Sequence, residues 1–136
     1  MIIEAERRAL QFATALACLV PISAGTMGVL ESAAMLPGVE PPLPINLDSH
    51  YRYLSGLLLG IGIGFAICIH KIEERAPLYR FLGMIVVVGG LARLLSLAEN
   101  GVPGFGHRFG LVMELAVVPA LMLWQWRVAR QAIAKK

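Results

Sequence analysis

Four apolar segments constrain the fold of this chain more than any other feature. Each runs for about 17 to 22 residues, close to the ~20 that a helix needs to cross ~30 Å of hydrocarbon. Only 15% of the 136 residues are charged, against about a quarter in soluble domains. Because lipid satisfies no backbone polar group, helices are the expected solution. The sequence predicts a single all-α membrane domain, residues 1–136, with a four-helix bundle over about residues 9–30, 50–70, 80–98 and 108–127.

The lysines and arginines predict how the bundle is oriented. Such residues are retained on the cytoplasmic side of a membrane. Nine of the twelve lie on one side of a four-pass topology, which predicts that both termini are cytoplasmic; they are Arg7, Arg8, Lys71, Arg75, Arg80, Arg127, Arg130, Lys135 and Lys136. The other three, Arg52, Arg93 and Arg108, fall at or inside the outer ends of helices. Each of these three therefore needs a local partner.

The first outer loop, residues 31–48, contains four prolines and no lysine or arginine. Proline fixes one backbone angle and lacks a donor, so an extended or turn-like segment is expected. It is interpreted as a connector, with a lid over the bundle mouth as the alternative. Near its end, Asp48 or Ser49 is predicted to cap the second helix, and a site role for Asp48 is the alternative.

Three glycines of the second helix, Gly56, Gly60 and Gly64, recur every four residues and share one helical face. Helices in lipid approach closely through small residues. The spacing predicts a glycine zipper at which this helix packs, either on the first helix or on a second copy of the chain.

Two ion pairs are predicted between the third and fourth helices, which are joined by the short turn "GVPGFG". If the turn has its apex at its centre, Arg93 faces Glu114 at equal depth, and Glu99 faces Arg108 nearer the rim. A pair removes much of the cost of a charge placed in hydrocarbon. The sequence therefore predicts that Arg93 is satisfied by Glu114.

Two interpretations of these charges stay open. Arg93 and Glu114 either lock the hairpin or belong to an outward-facing binding site, because ionisable groups within a membrane tend to mark sites. The candidate binding residues are Asp48, Arg52, Tyr53, Arg93, Ser96, His107 and Glu114.

Other chemistry has little support in the sequence. The histidines and acids lack the compact spacing of a metal site, and Cys18 and Cys68 lack the spacing of a redox motif. No phosphate-binding loop is visible, and no basic patch suited to nucleic acid. Neither a metal nor a cofactor is predicted.

Three parts of the chain resemble domain-of-unknown-function family 4345, a group of small bacterial membrane proteins. They are "HYRYLSGLLLGIG" at residues 50–62, "GGLARLLSLAENGVPG" at residues 89–104, and the acid Glu114 in the following helix. The resemblance implies a four-helix protein of the bacterial inner membrane. It brings no established activity, so it implies no catalytic residue.

The sequence favours a binding or accessory module. Its expected partners are membrane lipids, an amphipathic small molecule, a second copy of the chain or a neighbouring membrane subunit. The alternative is a membrane enzyme that uses Asp48 or Glu114 as acid or base on a lipophilic substrate. A carboxylate without an arginine partner would favour the enzyme.

Overall fold

The structure is a computed structural model that describes residues 2–134. The all-α prediction is confirmed, since the described residues form helices and turns and no strand. Four helical stretches are long and apolar enough to cross a membrane: Glu4–Met35, Ile45–Ile69, Ala76–Asn100 and Phe105–Ile133. Lys135 and Lys136, which contribute to the predicted orientation, lie outside the described residues.

The helices extend beyond the bounds predicted from the apolar segments. Helix α1 is Ile2–Glu31 and is followed by a 3-10 turn, Ser32–Met35; α2 is Ile45–Ile69 and α3 is Ala76–Asn100. The fourth stretch contains α4, Phe105–Val112, a π-helical turn, Met113–Val117, and α5, Val118–Ile133. The sequence prediction stopped near the flanking charged residues, but glutamate, lysine and arginine are good helix formers.

Helix α2 begins earlier than predicted. The backbone N–H of Asp48 donates to the carbonyl of Pro44 at 3.0 Å, which is the first bond of the helix. Asp48 therefore lies within the first turn, and the prediction that Asp48 or Ser49 caps α2 is wrong. The outer loop is shortened accordingly. An acid in the first turn suits the positive end of the helix dipole.

The chain divides into two units, of which one is residues 14–67. Within this unit α1 and α2 pack through Gly25, where an added Cβ would stand 2.6 Å from the backbone nitrogen of Leu59. At the predicted zipper face, an added Cβ on Gly60 would meet nothing within 4 Å, and one on Gly56 only a methyl of Val29 at 4.0 Å. The prediction of tight helix packing at Gly56 and Gly60 is therefore wrong within the chain. The spacing identified a small-residue face but not the face that meets the neighbour.

The other unit is residues 1–13 and 68–136. Its packing includes a fully buried amide, Gln125. Gln125 Nε2 donates to the Ile72 carbonyl at 2.9 Å, and Gln125 Oε1 accepts from Arg80 Nε at 3.2 Å. These bonds connect α5 to α3 and to the turn before α3. A buried amide with its partners in place stabilises one packing arrangement over its alternatives.

Candidate functional site

Arg93 and Glu114 form a bidentate ion pair between α3 and the π-helical turn. Arg93 Nε lies 2.9 Å from Glu114 Oε2, and Arg93 Nη2 lies 3.0 Å from Glu114 Oε1. Two parallel charge-assisted bonds hold a carboxylate in a defined orientation. The Arg93 side chain is 33% exposed and that of Glu114 is 17% exposed. The contact expected from the hairpin is thus present, and the arginine remains partly accessible.

The two paired residues are not level, contrary to the prediction of equal depth. The Arg93 guanidinium lies over Gly110, with Cζ 3.6 Å from the position of an added Cβ. Gly90 packs against Glu114: a Cβ added at Gly90 would lie 2.8 Å from Glu114 Cβ. Glu114 is therefore about one turn, ~5 Å, farther from the connection between α3 and α4 than Arg93 is. Helical side chains lean toward the start of their own helix, so in this antiparallel pair the two side chains lean toward each other.

His107 is the third member of this group, which we call the Arg93 cluster: Arg93, Glu114 and His107. Arg93 Nη1 lies 2.8 Å from His107 Nδ1. A guanidinium has no acceptor, so Nδ1 must accept, and the ring is then neutral with its proton on Nε2. The His107 side chain is exposed. The cluster therefore presents an Nε2–H donor beside the arginine.

The π-helical turn at Met113–Val117 carries Glu114. The N–H of Val118 donates to the Met113 carbonyl, five residues earlier. Pro119 follows, and because proline has no N–H, the carbonyl of Leu115 loses its α-helical donor. Pro119 is thus the sequence signal for a local departure from α-helix, although the prediction did not use it. Such turns occur frequently at functional sites.

The predicted rim pair between Glu99 and Arg108 is not among the ion pairs of the described residues. Glu99 is six residues after Arg93, and Arg108 is six residues before Glu114. At 3.6 residues per turn, a separation of six residues rotates a side chain by about 120° around its helix. Because Arg93 and Glu114 face each other, Glu99 and Arg108 must point away from the contact between the helices. Glu99 and Arg108 are accordingly exposed. The prediction considered depth and neglected the helical face.

A second group, the Arg52 cluster, contains Arg52, Asp48 and the carbonyls of Val29 and Leu30, all within residues 14–67. Arg52 Nε lies 3.0 Å from Asp48 Oδ2 and 3.2 Å from Oδ1. Arg52 Nη1 donates to the Leu30 carbonyl at 3.0 Å and also to the Val29 carbonyl. These carbonyls end α1, where a cation is favoured. Arg52 therefore serves as a helix cap.

Two other predicted site residues make no such contacts. Tyr53 is 64% exposed, and Ser96 is exposed, with its backbone carbonyl accepting from Asn100 Nδ2 at 3.3 Å. Within the described chain neither side chain has a hydrogen-bond partner. Their assignment to a binding site stays a prediction.

Metal-ligating groups do not gather in the part of the chain that the structure describes. No three of its His, Cys, Asp or Glu side chains are placed to hold a metal ion. Cys18 and Cys68 are buried, and neither forms a disulfide within the described residues.

Comparison with known proteins decides the family. The family model described as "Domain of unknown function (DUF4345)" matches residues 9–125. This chain belongs to that family. No curated protein and no solved structure gives a significant match. The match to DUF4345 includes every residue of the Arg93 cluster and of the Arg52 cluster, so both lie within the family domain.

The sequence prediction missed two glycines that lie against the Arg93–Glu114 pair. Gly90 allows α3 to approach Glu114 closely, whereas a Cβ added at Gly110 would make ordinary contact, at 3.6 Å, with the Arg93 guanidinium. The signal was available, because Gly90 is three residues before Arg93 and Gly110 is four before Glu114. These spacings place each glycine on the face of its helix that carries the charge.

Proposed function

We propose that this chain is a multi-pass protein of the bacterial inner membrane, a four-helix bundle with cytoplasmic termini, that binds an amphipathic molecule at the Arg93 cluster. The four membrane-length helices support the location, and the distribution of basic residues supports the orientation. In that orientation the connection between α3 and α4 faces the periplasm. The ligand would then enter from the outer half of the membrane.

The proposal rests on one observation: the charge of Arg93 is neutralised by Glu114, but two of its N–H donors have no partner among the described residues. Glu114 takes two of its N–H groups and His107 a third. A guanidinium has five, so two remain on a side chain that is one-third exposed. Within an apolar helical hairpin, unused donors are costly without a partner. A polar headgroup with an apolar tail suits such a place.

The carboxylates favour binding over catalysis. Both oxygens of Glu114 accept from Arg93, and Asp48 is held by Arg52. Neither acid is an arginine-free carboxylate of the kind that acid–base work on a lipophilic substrate would use. The enzyme alternative is accordingly the weaker one.

Native mass spectrometry of the gently extracted protein tests the proposal. We expect the wild type to retain one small amphipathic molecule per chain, and His107→Phe to retain less of it because the Nε2–H donor is lost and Arg93 Nη1 loses the acceptor that orients it. Arg108→Gln is the matched control, since this neighbouring side chain is exposed and forms no hydrogen bond or ion pair in the described structure. A wild type without a retained molecule, or one retained equally by His107→Phe, would contradict the proposal. A retained protein subunit with no small molecule would contradict it too, in favour of an accessory role.

Reporter fusions test the orientation separately. A reporter at Val39, in the first outer loop, should be active in the periplasm, and a reporter at Lys136 should be active in the cytoplasm. The reverse result at Lys136 would place the Arg93 cluster in the inner half of the membrane.

A further inference from the structure

We infer that the headgroup bound at the Arg93 cluster is an uncharged hydrogen-bond acceptor, a carbonyl oxygen on an apolar body, and not an anion. This inference rests on the proposed function and specifies the chemistry of its ligand. Such a carbonyl is found in quinones and in the esters of glycerolipids. These sources share the chemistry and are separated by experiment below.

The unused hydrogen-bonding groups of the Arg93 cluster are donors, so a ligand must supply an acceptor. Arg93 has one unused N–H on each terminal nitrogen, and His107 carries a proton on Nε2 because its Nδ1 accepts from Arg93. Each oxygen of Glu114 already accepts from Arg93. The cluster thus offers three free donors in the described structure, whereas each oxygen of its one carboxylate already accepts a bond. A ligand oxygen that receives one or two of these donors complements the site.

The Arg93 cluster carries no net charge, which favours an uncharged ligand group. Arg93 and Glu114 carry opposite charges 2.9 Å apart, and His107 is neutral in this hydrogen-bonded form. An anion that enters would lose hydration without meeting a net positive charge, which is costly in a low-dielectric surrounding. A carbonyl oxygen carries only a partial charge and loses far less. Phosphate groups are ordinarily bound by arginines whose charge is not already neutralised.

The surface beside the donors is open and apolar. An added Cβ on Gly89, one turn before Arg93, would meet nothing within 4 Å, and the same holds for Gly106, next to His107. Phe105 and Phe109 stack with ring centroids 6.4 Å apart on the same helix as His107. An apolar body attached to the carbonyl therefore has room against α3 and α4.

Titration of the delipidated full chain, in native mass spectrometry, compares three probes. Dioctanoylglycerol and dioctanoyl phosphatidic acid have the same two esters and differ in a phosphate, while a short-chain benzoquinone has ring carbonyls and no ester. We expect one-to-one binding of an uncharged probe, with phosphatidic acid binding no more tightly than dioctanoylglycerol. Tighter binding of dioctanoylglycerol than of the benzoquinone would identify a lipid ester as the ligand group, and the reverse would identify a quinone carbonyl. His107→Phe should weaken binding by about three- to tenfold, the effect of losing one hydrogen bond.

Tighter binding of phosphatidic acid than of both uncharged probes would overturn the inference. If Arg108→Gln abolished that preference, the anion would be bound at Arg108, outside the Arg93 cluster. Affinities unchanged by His107→Phe would also overturn it, because the probes would then lie elsewhere. If no probe bound and the extracted protein also retained no molecule, the proposed function itself would fail.

Discussion

The Arg93 and Arg52 clusters satisfy an arginine in two different ways. Arg52 is paired with Asp48, one turn earlier on the same helix, and its Nη1 serves the end of α1. Arg93 is paired with Glu114, 21 residues away and on another helix, and its Nη1 reaches an exposed histidine. The Arg52 contacts complete a helix terminus, which is a structural need. The Arg93 contacts leave donors beside an exposed imidazole, which is what a ligand requires.

Removing the acid should affect the two clusters very unequally. Glu114→Gln leaves Arg93 charged within a membrane-length hairpin, and we expect a loss of about 2 to 3 kcal/mol in the free energy of unfolding. Asp48→Asn should cost far less, because the pair is exposed and local and Arg52 keeps its carbonyl partners. Unfolding in detergent, followed by circular dichroism, measures both. Equal losses would remove the distinction between the clusters.

A neighbouring pair of glycines tests whether close packing positions the Arg93 cluster. An added Cβ on Gly90 would lie 2.8 Å from Glu114 Cβ and 2.7 Å from Leu115 Cδ2, whereas one on Gly89 would meet nothing within 4 Å. Both alanines gain helix propensity, so the difference isolates the clash. Gly90→Ala should be less stable than Gly89→Ala by about 1 to 3 kcal/mol. Indistinguishable melting temperatures would mean that α3 and the π-helical turn separate without cost.

A smaller effect is expected at the cap of α1. Arg52→Gln removes a cation from the α1 carbonyls and should cost about 0.5 to 1 kcal/mol. Arg108→Gln, at an exposed arginine, should change stability by less than about 0.5 kcal/mol. Ligand retention should be unchanged in Arg52→Gln, as measured by native mass spectrometry. Loss of the ligand in this variant would assign Arg52 to the binding site.

The sequence was sufficient to predict the four helices and the contact between Arg93 and Glu114. Four apolar stretches require four helices, and a short turn brings Arg93 near Glu114. The register was not predictable, because it depends on the close packing of Gly90 against Glu114 and Leu115. Glu99 and Arg108 were misassigned because depth was considered without the helical face. The glycine repeat of α2 does not mark the contact within the chain, because α1 and α2 come close at Gly25 and Gly62 instead. Its role as a surface for a second copy of the chain stays a prediction.

The most direct test of this account is a pair of double-mutant cycles. One combines Arg93→Ala with Glu114→Gln, and the other combines Arg52→Ala with Asp48→Asn, with the free energy of unfolding measured for every variant. We predict that Arg93→Ala with Glu114→Gln recovers about 1 to 2 kcal/mol relative to the sum of the single losses, because neither charge is then left alone. The coupling between Arg52 and Asp48 should be much weaker, because this pair is exposed and local. Additive losses at Arg93 and Glu114 would contradict the account, because Arg93 would then be stabilised by something other than Glu114.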